Sequence, residues 1–243
     1  MKPSNSFIAG FLILFFIYHF PEFFQSFWIT ALFKIGFLIV AIILCRLQGW
    51  KGLEGYGLSF NKKWYLVLAS GLLIGFGAFV SSILISIGIQ FEQIENIQSI
   101  EFFLQSIPLT LLMTFFPSIA EDILTRGYLY GHLKLLKPTI WILLSSTIYV
   151  LNHIWRLNDG IPVLSYLFLL GVVLAISVLA KRSLWLALGI HWGANIAYEL
   201  SNSGLKLNSV SNKPETSTWP LAIVWGFTSL ILLFMYRRQL KNS

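Results

Sequence analysis

The sequence predicts an all-α fold, namely a polytopic membrane bundle of about eight transmembrane helices that encloses a buried polar cavity. Of the 243 residues, 56% are hydrophobic and only 11% are charged, and the mean hydropathy is +0.75. A soluble domain carries roughly a quarter charged residues. The apolar residues form segments close to the ~20 residues that a helix needs to cross a bilayer. These segments lack the period-two alternation of membrane β-strands.

Eight apolar segments follow one another, separated by polar stretches that contain the Gly, Pro, Asn and Lys typical of loops. They cover about residues 5–20, 25–45, 64–89, 107–131, 138–157, 162–180, 183–200 and 219–236. Residues 91–104 (FEQIENIQSIEFFL) set apolar side chains among acids and amides, which favours an amphipathic helix on the membrane surface. The longest polar stretch, residues 201–218, is predicted to be a loop. We expect one integral membrane domain over residues 1–243.

Four local features refine individual segments. The first segment follows Lys2 as in a signal peptide, but it lacks a small-x-small cleavage site and further spans follow, so we predict an uncleaved span. The single cysteine, Cys45, excludes an intramolecular disulfide and a CxxC metal site. In the fourth segment, Pro117 should bend or break the helix. In the seventh, Gly189-x-x-x-Gly193 should let a neighbouring helix approach closely.

The distribution of Lys and Arg predicts the orientation of the bundle, because cytoplasmic loops carry an excess of both. Eight spans place twelve Lys and Arg residues on the side that holds both termini and three on the other side. We therefore expect both termini to be cytoplasmic, in a bacterial plasma membrane. The net charge of +7 then reflects loops beside anionic lipid, and no nucleic-acid partner is expected because the basic residues are scattered.

The fourth segment contains three charges within six residues: Glu121, Asp122 and Arg126. A charged side chain at the centre of a membrane helix costs about 2.5–3.5 kcal/mol on insertion scales. Asp122 and Arg126 lie one helical turn apart and could neutralise each other. This purely structural explanation leaves Glu121 without a partner, and a carboxylate inside a membrane is a functional candidate.

Polar side chains also form stripes at helical spacing. The stripes consist of Ser118, Glu121, Asp122 and Thr125 on the fourth segment, Tyr149, Asn152, His153 and Arg156 on the fifth, and His191, Asn195 and Glu199 on the seventh. Such faces must meet each other or line a wet cavity. A lone histidine in an apolar helix is more often a packing residue, but these stripes contain two. The other histidines, His19 and His132, lie near segment ends and are predicted to be interfacial.

The three polar motifs, in this order, resemble those of the CPBP family, which comprises CAAX prenyl endopeptidases and bacterial relatives linked to bacteriocin processing and immunity. The family pattern is Glu-Glu-x-x-x-Arg, Phe-x-x-x-His and His-x-x-x-Asn or Asp, and this chain has EDILTR, YVLNH and HWGAN. The resemblance covers about residues 105–200, the predicted core of the domain. Asp122 replaces the second Glu and Tyr149 replaces the Phe.

The resemblance implies hydrolysis of a peptide bond within the membrane. The residue types agree, because we find no Ser–His–Asp pattern and Cys45 lies far from the motifs, which leaves water as the nucleophile. Glu121 and His153 are candidate bases for that water. His191 and Asn195 could donate hydrogen bonds to the developing oxyanion. Asp122 and Arg126 would orient the face of the fourth helix and fix its charge. The candidate catalytic residues are therefore Glu121, Asp122, Arg126, His153, His191 and Asn195.

Metal dependence stays open from the sequence. Glu121, His153 and His191 form a chemically reasonable zinc set with a position left for water. The HExxH spacing of common zinc proteases is absent, and the same residues support a metal-free mechanism equally well. No cofactor is therefore predicted with certainty, and zinc is the possible one.

Three functions compete. An endopeptidase would cut a membrane-associated or lipidated peptide, such as a prenylated C-terminal peptide, a bacteriocin leader or a signalling peptide. A binding or immunity protein would use the same cavity without cleavage, and the exchange to Asp122 gives this alternative some weight. An ion-coupled transporter also places charges within spans, but we find no inverted repeat with paired broken helices.

Overall fold

The computed structural model describes residues 3–24, 26–210 and 218–242. Within them the chain is almost entirely helical, which confirms the all-α prediction. The helices are α1 (Pro3–His19), α2 (Phe27–Leu47), α3 (Trp64–Gly88), α4 (Ile100–Asp122), α5 (Tyr128–His132), α6 (Pro138–Asn152), α7 (Ile161–Lys181), α8 (Trp185–Gly204) and α9 (Trp219–Asn242), and the strands are β1 (Glu92–Ile97) and β2 (Leu205–Ser209).

All eight predicted apolar segments are helical. Among the described residues, six helices are long and apolar enough to cross a membrane, namely α1, α2, α3, α4 with its extension to His132, α7 and α9. Helix α6 has only 15 residues, and α8 has 20 residues but carries one of the polar stripes. The protein is an integral membrane protein, and α6 and α8, which do not meet that criterion, are two of the three helices that carry the motifs.

Helices α3 and α8 pack closely because glycines face each other across the contact. Gly71 and Gly75 of α3 oppose Gly189 and Gly193 of α8. A Cβ atom added at Gly71 would lie 2.6 Å from the carbonyl oxygen of Leu186 and 2.9 Å from the Cα of Gly189. This is the close backbone approach that the seventh segment predicted, and α3 supplies a second glycine pair as its partner.

Two connections differ from the prediction. Residues 91–104 are not one amphipathic helix, because 92–97 form β1, which pairs antiparallel with β2 within the predicted loop. Residues 201–204 belong to α8, and 211–217 lie outside the described residues. The apolar spacing in 91–104 fits a helix, but the partner strand that decides the conformation is distant in sequence.

The fourth segment is not broken at its prolines. Helix α4 continues through Pro108 and Pro117, and the irregularity comes later, as a π-helical turn over Ile123–Gly127 that leads into α5. Proline is tolerated in membrane helices where neighbouring groups satisfy the freed carbonyl. A π-turn adds a residue to the helix and is frequent at functional sites. Here it directly follows the two acidic residues.

Candidate active site

Three ionisable side chains from three helices meet at one point. Glu121 Oε1 lies 3.5 Å from His153 Nδ1, and Glu121 Oε2 lies 3.5 Å from His191 Nε2. All three side chains line one cavity of about 350 Å³, which Tyr149 and Asn195 line as well. Glu121 is only 5% exposed. The stripes predicted from the sequence therefore converge on a shared space inside the bundle.

The end of α6 places His153 in this cavity. The helix stops at Asn152, and His153 adopts a non-helical backbone conformation with φ −97° and ψ 48°. Its Nδ1 lies 2.8 Å from the carbonyl oxygen of Tyr149. The predicted continuous stripe on this helix is therefore wrong beyond Asn152. Arg156 lies in a 3₁₀ turn, where it binds Asp159 at 2.9 Å, although it still lines the cavity.

Asp122 and Arg126 form a buried ion pair just behind the cavity wall. Neither side chain is exposed, neither lines the cavity, and the pair has the predicted i,i+4 spacing. Asp122 Oδ1 also lies 3.1 Å from His191 Nδ1. The Arg126 guanidinium stacks 4.6 Å from the centre of the Tyr149 ring. The pair therefore supports the side chains that face the cavity rather than facing it itself.

Helix α8 presents His191 and Asn195 to the cavity from successive turns. Asn195 Nδ2 donates a hydrogen bond to Ser118 Oγ at 2.9 Å, which ties α8 to α4. Glu199, the third member of the predicted stripe, is exposed and lies outside the cavity lining, where Tyr198 takes its place. This stripe therefore reaches the cavity over two turns only.

The sequence prediction missed two residues that hold Glu121. Asn152 Nδ2 donates to Glu121 Oε1 at 2.9 Å, and Asn152 Oδ1 lies 3.0 Å from His19 Nε2. His19 in turn contacts Glu22 Oε2 through Nδ1 at 2.6 Å. His19 is only 5% exposed and lies at the end of α1. Asn152 belongs to the polar stripe that the sequence predicts on α6. No sequence pattern indicated His19, because its partner Asn152 is distant in the sequence.

The second histidine predicted to be interfacial, His132, takes no part in this network. Its Nδ1 lies 2.9 Å from the carbonyl oxygen of Tyr128, one turn earlier in the same helix. Its ring stands next to the Tyr128 ring, with 4.3 Å between the centres. His132 therefore packs within α5, beyond the π-helical turn that follows Glu121.

Comparison with known proteins bears on the same part of the chain. Residues 103–197 match the family model described as type II CAAX prenyl endopeptidase, Rce1-like. Residues 103–197 belong to this family. No curated protein matches the chain. The family resemblance predicted from the motifs is thus confirmed, and the Rce1-like region contains all three motifs but neither His19 nor α3. The match supports CAAX-type intramembrane protease activity in general.

The residues that would bind a metal ion lie within the Rce1-like region. Among the described residues, no group of three or more His, Cys, Asp or Glu side chains is arranged to hold a metal ion. In the candidate set of Glu121, His153 and His191, Nδ1 of His153 is held by a backbone carbonyl and Nδ1 of His191 by Asp122. These Nδ1 contacts are of the kind that metal-ligating histidines make, and they leave Nε2 of both rings as the nitrogens that would bind a metal.

Proposed function

We propose that the protein is an intramembrane endopeptidase that hydrolyses a peptide bond of a membrane-associated or lipidated peptide. The observation that carries this proposal is the position of Glu121, which stands between His153 and His191 on the wall of one cavity inside the helix bundle. Water can enter such a cavity, while the surrounding helices exclude lipid. A carboxylate and two imidazoles around one water-sized space are the groups that general acid–base hydrolysis needs.

Glu121 and His153 activate the water. Because a carbonyl oxygen can only accept, Nδ1 of His153 carries the proton in its contact with Tyr149. The neutral ring therefore keeps Nε2 as its basic nitrogen. Glu121 takes the proton of the attacking water and passes it to Nε2 of His153, and the imidazolium so formed gives that proton to the leaving amine.

His191 and Asn195 stabilise the oxyanion of the tetrahedral intermediate. Asp122 accepts a hydrogen bond from Nδ1 of His191 and so fixes the ring with Nε2 toward Glu121. His191 donates to the oxyanion from Nε2 as an imidazolium, in which both ring nitrogens carry a proton. Each positioned donor of this kind contributes on the order of 10²–10³ in rate. In this role Asp122 orients His191 from behind the cavity wall. An Asp side chain is sufficient here in place of the longer Glu of the family pattern, because Asp122 contacts both His191 and Arg126.

Asn152 and His19 position Glu121. A carboxylate on a helix has free rotation about its terminal bonds, and the Asn152 hydrogen bond fixes Oε1. His19 fixes the Asn152 amide in turn, because its Nε2–H donates to Oδ1 and leaves Nδ2 directed at Glu121. A ring protonated on both nitrogens also satisfies the contact with Glu22. Neither Asn152 nor His19 lines the cavity, so both act through Glu121.

This mechanism relies on Glu121, Asn195 and the two histidines, and no step of it is assigned to a metal. The substrate is a peptide or a lipidated protein, and membrane lipid surrounds the bundle. We further propose a bacterial plasma membrane as the location, with both termini in the cytoplasm, from the distribution of Lys and Arg.

The proposal is tested with wild type, Glu121→Gln, His153→Ala and His191→Ala at matched membrane levels. Host membranes and medium are searched by mass spectrometry for new peptide termini. The purified proteins are then assayed on internally quenched peptides that span these cleavage sites, with and without a prenyl group. Termini that occur with wild type and vanish with all three variants support the protease. A cell phenotype that persists in all three variants, without any wild-type-specific terminus, supports binding instead.

A further inference from the structure

The cavity extends to one end of the bundle. Its outer lining comes from the ends of helices and from their connections, namely Ser86 at the end of α3, Glu92 on β1, Arg156 after α6, Asn202 near the end of α8, Leu207 on β2 and Thr218 just before α9. The connection between α1 and α2 lies at the same end, because Glu22 accepts a hydrogen bond from Trp155 Nε1 at 2.9 Å. We call this end the mouth face.

The opposite end of the bundle is formed by the other connections. Gly57 O, between α2 and α3, accepts a hydrogen bond from the backbone N–H of Leu184 at 2.9 Å. Tyr130 OH of α5 donates to Arg182 O, after α7, at 3.1 Å. These contacts place the α2–α3, α5–α6 and α7–α8 connections together, away from the cavity. We call this end the basic face.

The charges of the two faces differ strongly. Because successive helices run in opposite directions, eleven Lys and Arg residues of the described chain lie on the basic face, namely Arg46, Lys51, Lys62, Lys63, Lys134, Lys137, Lys181, Arg182, Arg237, Arg238 and Lys241. Two lie on the mouth face, Arg156 and Lys206. One of these, Arg156, is bound by Asp159, and the other, Lys206, pairs with Glu95 at 2.8 Å. Short loops rich in Lys and Arg remain on the cytoplasmic side of a membrane.

We infer that the catalytic cavity opens to the extracytoplasmic side of the membrane. The substrate is then a peptide segment at the outer surface of the membrane, such as an exported peptide or an outer loop of a membrane protein. This statement about the substrate rests on the proposed function. A prenylated tail attached on the cytoplasmic side would meet the basic face, whose connections do not line the cavity.

The orientation is tested with single cysteines in a Cys45→Ala background, since Cys45 is the one native cysteine. Gln93→Cys and Asp159→Cys report the mouth face, and Lys51→Cys and Lys134→Cys report the basic face, all four at exposed positions. Intact cells are treated with a membrane-impermeant maleimide, and permeabilised cells provide the total reactive fraction. Both mouth-face cysteines should label in intact cells, and both basic-face cysteines only after permeabilisation. The reverse pattern would overturn the inference.

A second measurement addresses substrate access. Right-side-out and inverted vesicles receive an impermeant quenched peptide that the purified protein cleaves. Cleavage should be confined to right-side-out vesicles, and cleavage confined to inverted vesicles contradicts the inference. Cysteine labelling reports the orientation even if no peptide is cleaved. A failure of the proposed protease activity and a failure of the orientation are therefore distinguishable.

Discussion

The hydrogen bond from Asn152 to Glu121 gives the sharpest test of how the site is held. Replacing Asn152 by Ala removes the donor on Glu121 Oε1 and leaves the ring nitrogen of His19 without its acceptor. A hydrogen bond to a charged group contributes about 1.5–3 kcal/mol. Since each 1.36 kcal/mol corresponds to a tenfold change in rate, kcat should fall by about 10- to 100-fold. KM should stay nearly constant because Asn152 lies behind the cavity wall.

The double variant distinguishes positioning from general loss of structure. His19→Ala alone should lower kcat less than Asn152→Ala. Because His19 acts through Asn152, the double variant should be no slower than Asn152→Ala, which means that the two effects are not additive. The assay is kcat and KM in detergent or liposomes with a cleaved quenched peptide, together with the thermal unfolding midpoint. Leu151→Ala, the exposed neighbour, serves as the control. Additive losses, or a change confined to KM, would refute the positioning role.

Three further outcomes follow from the packing and the charges. Gly75→Val should lower the unfolding midpoint sharply because its Cβ would overlap the α8 backbone, whereas Gly77→Val on the same helix, with open space around it, should leave the midpoint nearly unchanged. Asp122→Ala and Arg126→Leu should each destabilise the protein by about 3–5 kcal/mol, since each leaves a buried charge unpaired. The variant that combines Asp122→Ala with Arg126→Leu should be more stable than either single variant but should remain inactive. Equal losses of stability in all three variants would contradict the pairing. Peptide cleavage should survive a strong chelator, and loss of cleavage that zinc restores would show a metal requirement.

Much of this architecture could be predicted because membrane helices leave a strong local signal. Runs of apolar residues mark the eight helical segments, and polar residues at helical spacing place Glu121, His153 and His191 on faces that must avoid lipid. Composition and periodicity suffice for these features because each depends on residues within one segment. The glycine pair of the seventh segment was visible for the same reason.

The remaining features depend on contacts between distant segments. The pairing of β1 with β2 replaces a locally plausible helix, and His19 reaches Asn152 across most of the chain. The end of α6 at Asn152 moves Arg156 off the expected face, although nothing in the apolar pattern marks that end. Such outcomes are decided by tertiary partners, which a single sequence does not identify.

The glycine contact between α3 and α8 limits how far this protein can be truncated and whether its site can be grafted onto another protein. The Rce1-like region starts at residue 103, so a fragment cut at that boundary would leave α8 without Gly71 and Gly75 opposite it. Such a fragment would also lack the imidazole that holds Asn152. Grafting the three motifs into another bundle would therefore transfer the reacting groups without their supports. A minimal fragment that keeps the supported site has to include the N-terminal helices α1, α2 and α3.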